Sequence, residues 1–182
     1  MSATAIESGK SKVTELRWDA LEYLMFSLSD AAKRDCYGAA PTNNPLELAG
    51  GIMRTIASQK GAGWLTWINN RPRAAFGVYE CHPGTWNIWA VGDIDDPVVS
   101  ISLFAPLLEE ALPHAQRSGG WRVECKVSAD RGALHDTLAL LGFETEGVAR
   151  RYGRDRGDYI AYALLLDDVE RTPPGVPAKE AK

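Results

Sequence analysis

The sequence predicts a mixed α/β domain, an α+β mixed sheet with helices on both faces, in the order β-α-α-β-β-β-α-β-α-β-β. Two observations carry that prediction. Over residues 122–127, Val123, Cys125 and Val127 alternate with Arg122, Glu124 and Lys126, the period of a strand with one face on a core. Elsewhere apolar residues recur at helical spacing behind capping residues, with Gly, Asn, Asp and Pro clusters between segments. At 182 residues the chain suits one domain with a substantial core. We place that domain at 13–166, behind a loose, polar N-terminus at 1–12. Residues 167–182 hold Pro173, Pro174 and Pro177, show no periodicity and read as a tail.

The first strand is expected over 13–18. Asp19 with Glu22 makes a capping-box-like start, and Leu21, Leu24, Met25 and Leu28 form the apolar face of one helix running toward Cys36 and Gly38. Asn44, Pro45 and Glu47 open a second helix with Leu48, Ile52 and Ile56 on one face. Gly50-Gly51 costs its interior on the order of 1 kcal/mol per glycine, so a short or bent helix is expected. Strands over 64–68, 73–80 and 85–91, separated by turns at 69–72 and 82–84, make an antiparallel meander. Asp96 and Pro97 then open a long apolar helix. Pro106 and Pro113 each remove a backbone donor from it, which predicts a kink or break near 102–105.

Behind Asp130, read as an N-cap, Leu134, Leu138 and Leu141 mark a short helix that Gly142 closes. Two runs, 143–151 and 159–166, flank a turn rich in Gly and Asp and predict a closing hairpin.

Strand, helix, Leu141-Gly142-Phe143 and hairpin in that order resemble the C-terminal half of the GCN5-related N-acetyltransferase (GNAT) superfamily. More narrowly, VECKVSAD, LALLGFETEG and RRYGRDRGDYIAYAL are similar to acetyltransferase-like proteins encoded among the structural genes of tailed bacteriophages. The similarity is strongest over 94–166 and extends from about 13. The resemblance implies a GNAT-like fold, acetyl-CoA as cofactor if the protein is an enzyme, and other phage virion proteins or a second copy as partners. It also implies synthesis in the host cytoplasm, with the virion as a further location.

In that superfamily a loop patterned Arg/Gln-x-x-Gly-x-Gly/Ala, between the fourth strand and the next helix, holds the coenzyme's pyrophosphate on backbone N–H groups. Here the matching stretch holds Gly92, Asp93, Asp95, Asp96 and Val98, with three carboxylates and no paired glycines. Asp96 as N-cap consumes helix N–H groups and Pro97 has none. Each carboxylate at about 4 to 8 Å repels a phosphate by roughly 0.5 to 4 kcal/mol. The loop is degenerate, and the expectation is a non-catalytic virion or morphogenesis protein. The alternative is an active acetyl-CoA-dependent N-acetyltransferase with an atypical coenzyme site.

Many superfamily members carry a tyrosine about four positions before Gly-Phe that protonates the departing thiolate. Leu138 stands there. Glu80 and Glu124 are candidate general bases, and His135 and Tyr152 candidate proton donors. The same residues also fit an exposed strand face and a solvated helix. Cys125 with His135 and Asp130 has the ingredients of a thiol nucleophile, but Cys125 belongs to an apolar strand face.

A net charge of -4 argues against general nucleic-acid binding, and no apolar run approaches the roughly 18 residues of a membrane span. Cys36, Cys81 and Cys125 lie far apart, and His82, His114 and His135 lack ligand spacing, so neither a disulfide framework nor a metal site is expected. Trp64 and Trp67 fall on opposite faces of one strand, and Trp86 and Trp89 do the same on another. Trp64 and Trp67, with Arg151, Arg154 and Arg156 of the hairpin turn, are the candidate interaction residues.

Overall fold

The computed structural model describes residues 11–154 and 156–166, so both the expected tail and most of the expected loose N-terminus lie outside the described residues. Its strands are β1 (Ser11–Glu15), β2 (Ala62–Ile68), β3 (Arg71–His82), β4 (Thr85–Gly92), β5 (Arg122–Ser128), β6 (Glu144–Ala149) and β7 (Tyr159–Leu165). They form one sheet in the order β1-β2-β3-β4-β5-β7-β6. All neighbours are antiparallel except β4 and β5. The helices are α1 (Trp18–Ser27), α2 (Asp30–Gly38), α3 (Pro45–Ser58), α4 (Pro97–Pro106), α5 (Leu112–Arg117) and α6 (Gly132–Leu140).

Strand alternation divides the core into two layers. On one face Phe76, Val78, Trp86, Val123 and Tyr162 pack under α4 to α6, with Val99, Leu103 and Leu138. On the other Leu65, Ala75 and Val91 pack under α1 to α3, with Leu21, Leu24 and Met25. Trp64 joins the first layer and Trp67 the second, the parity read from the sequence. The mixed sheet with helices on both faces is the predicted fold class.

Several elements differ from the sequence reading. The single helix expected from Asp19 is two. Leu28 leaves the helical region at ψ 143, and Ser29 restarts the helix by accepting from the Ala32 N–H at 3.2 Å. The chain uses a fresh N-cap because Ser29 satisfies an amide that a turn would otherwise orphan. β1 starts earlier than expected, and Trp18 opens α1 rather than closing a strand. The N-cap of α6 is Arg131, while Asp130 accepts from the Ser128 hydroxyl at 2.7 Å. Gly142 does end that helix at φ +84, and Phe143 N–H reaches back to Leu138 O at 2.9 Å in a Schellman closure. α3 runs unbroken through Gly50-Gly51. A Cβ at Gly50 would stand at ordinary contact distance, 3.7 Å, from the Trp18 ring, which packs α1 against this stretch of α3.

The long helix also departs from expectation. No break occurs at 102–105. Instead α4 passes into a π-helical turn, Leu107–Ala111, and then into α5. Pro106 cannot donate to the carbonyl of Ser102, four residues back. That carbonyl accepts from the Thr66 hydroxyl at 3.2 Å, and Thr66 is fully buried on β2. A strand side chain replaces the donor that the proline removes, so the helix stays whole through the expected site of fracture.

Thr66→Val should therefore lower unfolding free energy by about 1 to 2 kcal/mol, because a carbonyl loses its partner. In a Pro106→Ala background, where the substituted residue supplies its own N–H, the same change should cost about 1 kcal/mol less, as read by a denaturant double-mutant cycle. Equal costs in both backgrounds would refute the exchange of donors.

Candidate functional site: a cleft through the sheet

β4 and β5 run side by side for only three residue pairs, Thr85↔Arg122, Trp86↔Val123 and Asn87↔Glu124. Past these the strands separate, although each remains paired on its other side, β4 with β3 and β5 with β7. A cavity of about 840 Å³ occupies the gap, within the size range of small-molecule sites. Ile88 to Gly92 of β4 and Cys125 to Ser128 of β5 line it. So do Phe104 and Leu107 on one face of the sheet, and α2, α3 and the loop between them on the other. The cavity therefore passes through the sheet. Trp89 does not block it: the indole lies over Gly77, where an added Cβ would come within 2.7 Å of the ring. Glycine at 77 is what gives Trp89 its seat.

On the α2–α3 side the lining is aromatic and polar. Tyr79, Asn87, Trp89, Lys126, Tyr152 and Tyr159 border the cavity. The Lys126 ammonium sits 5.2 Å from the centre of the Tyr152 ring, whose own centre is 5.4 Å from that of Tyr159. Burial raises the Tyr79 phenol above its ordinary value, with Cys81, Tyr152 and Glu124 adding to the effect. Burial also pushes the thiols of Cys36 and Cys125 up to about 12. Both thiols line the cavity and are held protonated at neutral pH.

Of the candidate general bases and proton donors, only Tyr152 borders the cavity. Glu80 accepts from the Gly84 N–H at 3.1 Å and pairs with Lys60 at 3.2 Å, and the first of these, with the second, holds its carboxyl below the usual range. It staples the β3–β4 turn. Glu124 pairs with Arg122 at 3.3 Å, and the Cys81 thiol points to it at 3.9 Å. His135 Nδ1 stands 2.9 Å from the Tyr162 hydroxyl, while its Nε2 is buried without a partner among the described residues. Cys125 lies opposite Tyr162 in the β5–β7 ladder, and no bond joins it to His135. Leu138 lines the cavity where the resemblance places the acid.

The loop from Gly92 to Val98 has a definite structure. Asp93 accepts from the Ser29 N–H at 3.1 Å, Asp95 pairs with Arg131 at 2.9 Å, and Asp96 pairs with Arg73 at 3.3 Å. Asp96 also caps α4, accepting from the Val98 N–H at 2.9 Å, and Pro97 occupies the first turn. A nucleotide pyrophosphate therefore does not fit here, since one amide of the first turn is taken and another position carries none.

Trp64 stacks on Phe76 with centroids 5.5 Å apart. Trp67 donates its indole N–H to the Thr14 hydroxyl at 2.9 Å, and Lys12 lies over its ring. Both are half-buried. The tryptophans with the most exposure are Trp18 at 42% and Trp121 at 50%. Arg151, Arg154 and Arg156 are exposed on the β6–β7 connection, and the acidic loop's ion pairs are made with Arg73 and Arg131. The Arg154 N–H binds Gly38 O at 2.7 Å, which ties that connection to the end of α2. Among the described residues no three His, Cys, Asp or Glu side chains gather for a metal, and no helix is long and apolar enough to cross a membrane.

The fold is that of the GNAT acetyltransferases. A GNAT-family acetyltransferase from Streptococcus pneumoniae shares 18% identity at a TM-score of 0.64, over 86% of this chain and 99% of that one. A ribosomal-protein-alanine N-acetyltransferase from Brucella melitensis shares 14% at 0.69, over 85% and 99%. A Salmonella typhimurium protein assigned as an acetyltransferase, solved with its cofactor acetyl-CoA, shares 11% at 0.69, over 90% and 98%. No protein-family profile matches the chain, and no curated protein sequence does.

Sequence reasoning had no route to Arg131, Asp35, Tyr79, Asn87 or Lys126, because tertiary structure alone brings them to one cavity.

The raised thiols have a sign. Between about pH 9 and 12 the unfolded chain ionises Cys125 while the folded chain does not, so stability is lost as pH rises, by about 1.4 kcal/mol per unit for each such thiol. Replacing Cys125 with Ala should flatten the alkaline limb of a stability–pH curve, and an unchanged limb would remove the thiol from the account. At pH 8 Cys125 should alkylate about a thousandfold more slowly than free cysteine.

Proposed function

We propose that the protein is an acetyltransferase-like component of a tailed bacteriophage, virion-associated or acting in morphogenesis, that does not transfer acetyl groups from acetyl-CoA. The observation that carries this reading is the start of α4, where Asp96 takes the Val98 amide and Pro97 offers none. A nucleotide diphosphate has no cradle there. Leu138 at the cavity wall adds to it, since leucine cannot protonate a thiolate. The phage setting rests on the resemblance of the segments around 123–130, 138–147 and 150–164. Its partners are virion proteins or a second copy, met through Arg151, Arg154 and Arg156 and through tryptophan surface that includes Trp64 and Trp67.

One observation favours a second reading, an active N-acetyltransferase with an atypical coenzyme site. The cleft between β4 and β5 is open through the sheet and reaches the phenols of Tyr79 and Tyr152. In that reading Tyr152 stands in for the missing acid. When bound, acetyl-CoA would supply the thioester, held along the strand edges of Ile88 to Gly92 and Cys125 to Ser128, and the chain would contribute orientation and exclusion of water.

Calorimetric titration with acetyl-CoA, with coenzyme A as control, separates the two. The first reading expects no binding at millimolar ligand. Micromolar binding together with acetylation of an amine would overturn it in favour of the second.

A further inference from the structure

β4 and β5 part after Asn87 and Glu124, yet their continuations meet again. The chain leaves β4 at Gly92 and reaches Asp95; it leaves β5 at Ser128 and reaches Arg131. The Arg131 guanidinium donates through Nη2 to Asp95 Oδ1 at 2.9 Å and through Nη1 to Asp35 of α2. The cleft is thus an eyelet, closed at one end by the strand ladder and at the other by a guanidinium. We propose that the Asp35–Arg131–Asp95 bridge gates the width of the cleft, and that its strands part far enough to seat an elongated ligand between them only when Arg131 releases Asp95.

Three features distinguish a gate from a surface staple. Arg131 and Asp35 line the cavity itself, whereas Asp95 lies outside its lining, so the bridge ties the cavity wall to the continuation of β4. Its two arms are unequal: the Arg131 side chain is 16% exposed and Asp35 is half-covered at 35%, whereas Asp95 is 67% exposed. An ion pair that open to water is weak and reversible, so the Asp95 arm parts first while Asp35 keeps hold of the guanidinium. Finally, Arg131 occupies the N-cap of α6 with no side-chain capping bond. A cation at a helix N-terminus works against the helix dipole, a local cost that the bridge across the cleft offsets.

Cys36 and Cys125 line the cavity and report on its opening. In the full-length protein carrying Cys81→Ser, the rate of N-ethylmaleimide addition at each thiol would be followed by mass spectrometry. The gate predicts that Asp95→Asn and Arg131→Gln each speed addition at Cys125 about three- to tenfold, the effect of freeing a pair of this exposure from a local closing equilibrium. Asp19→Asn, which breaks the remote Arg17–Asp19 pair, should leave the rate unchanged. Raising sodium chloride from about 0.1 to 1 M should speed the parent and not Asp95→Asn. Rates equal to the parent's in Asp95→Asn, with the thermal midpoint preserved, would overturn the gate, even if Arg131→Gln fails to fold. No coenzyme takes part in this assay, so its failure is distinct from failure of either functional reading.

Discussion

The ladder between β4 and β5 carries three residue pairs and then stops, and the rest of the site follows from where the backbone beyond that point finds partners. Interior strands normally satisfy their N–H and C=O groups on both sides. Here the facing edges of Ile88 to Gly92 and Cys125 to Ser128 open onto a cavity instead. An extended ligand can meet two strand edges at once in such a gap, with backbone hydrogen bonds supplying its affinity whatever its side groups. The apolar residues on one side, Phe104, Leu107 and Leu138, and the aromatic and charged ones on the other make the two mouths chemically unlike.

A sheet opened in this way needs reinforcement elsewhere. β5 is held along its full length by β7, and α2 is strapped to both strand continuations, through Ser29 to Asp93 and through Asp35 to Arg131. The three acidic residues after β4 thus act as attachment points more than as a field of free charge. Each has a donor: a backbone N–H for Asp93, Arg131 for Asp95, Arg73 and the Val98 amide for Asp96. Using the carboxylates in this way spends the donors that a phosphate would require. The same loop stabilises the opened sheet and caps α4. Fold likeness below 20% identity shows architecture, whereas function resides in site chemistry.

Thr66 illustrates a similar exchange inside the core. Pro106 removes a helix donor, and a hydroxyl from the neighbouring strand supplies it. The π-helical turn falls one turn later, ahead of Pro113, where the helix accommodates its second missing donor without breaking.

Strand parity, the meander, the N-caps at Asn44 and Asp96, the Schellman glycine at 142 and the element order were all legible in the sequence, since each depends on residues within a few positions of one another. Local chemistry also exposed the altered α4 start, because capping by Asp96 and the missing amide of Pro97 are properties of adjacent residues. Partners were not legible. That Glu80 meets Lys60, Arg122 meets Glu146, and Asp35, Arg131 and Asp95 join across a cleft depends on contacts between segments up to about a hundred residues apart. The same holds for the helix that stayed whole at Pro106 and the one that split at Leu28. Periodicity records which face of an element is buried, but not which atom stands opposite, and that is settled only when the sheet brings distant strands and helices into one layer.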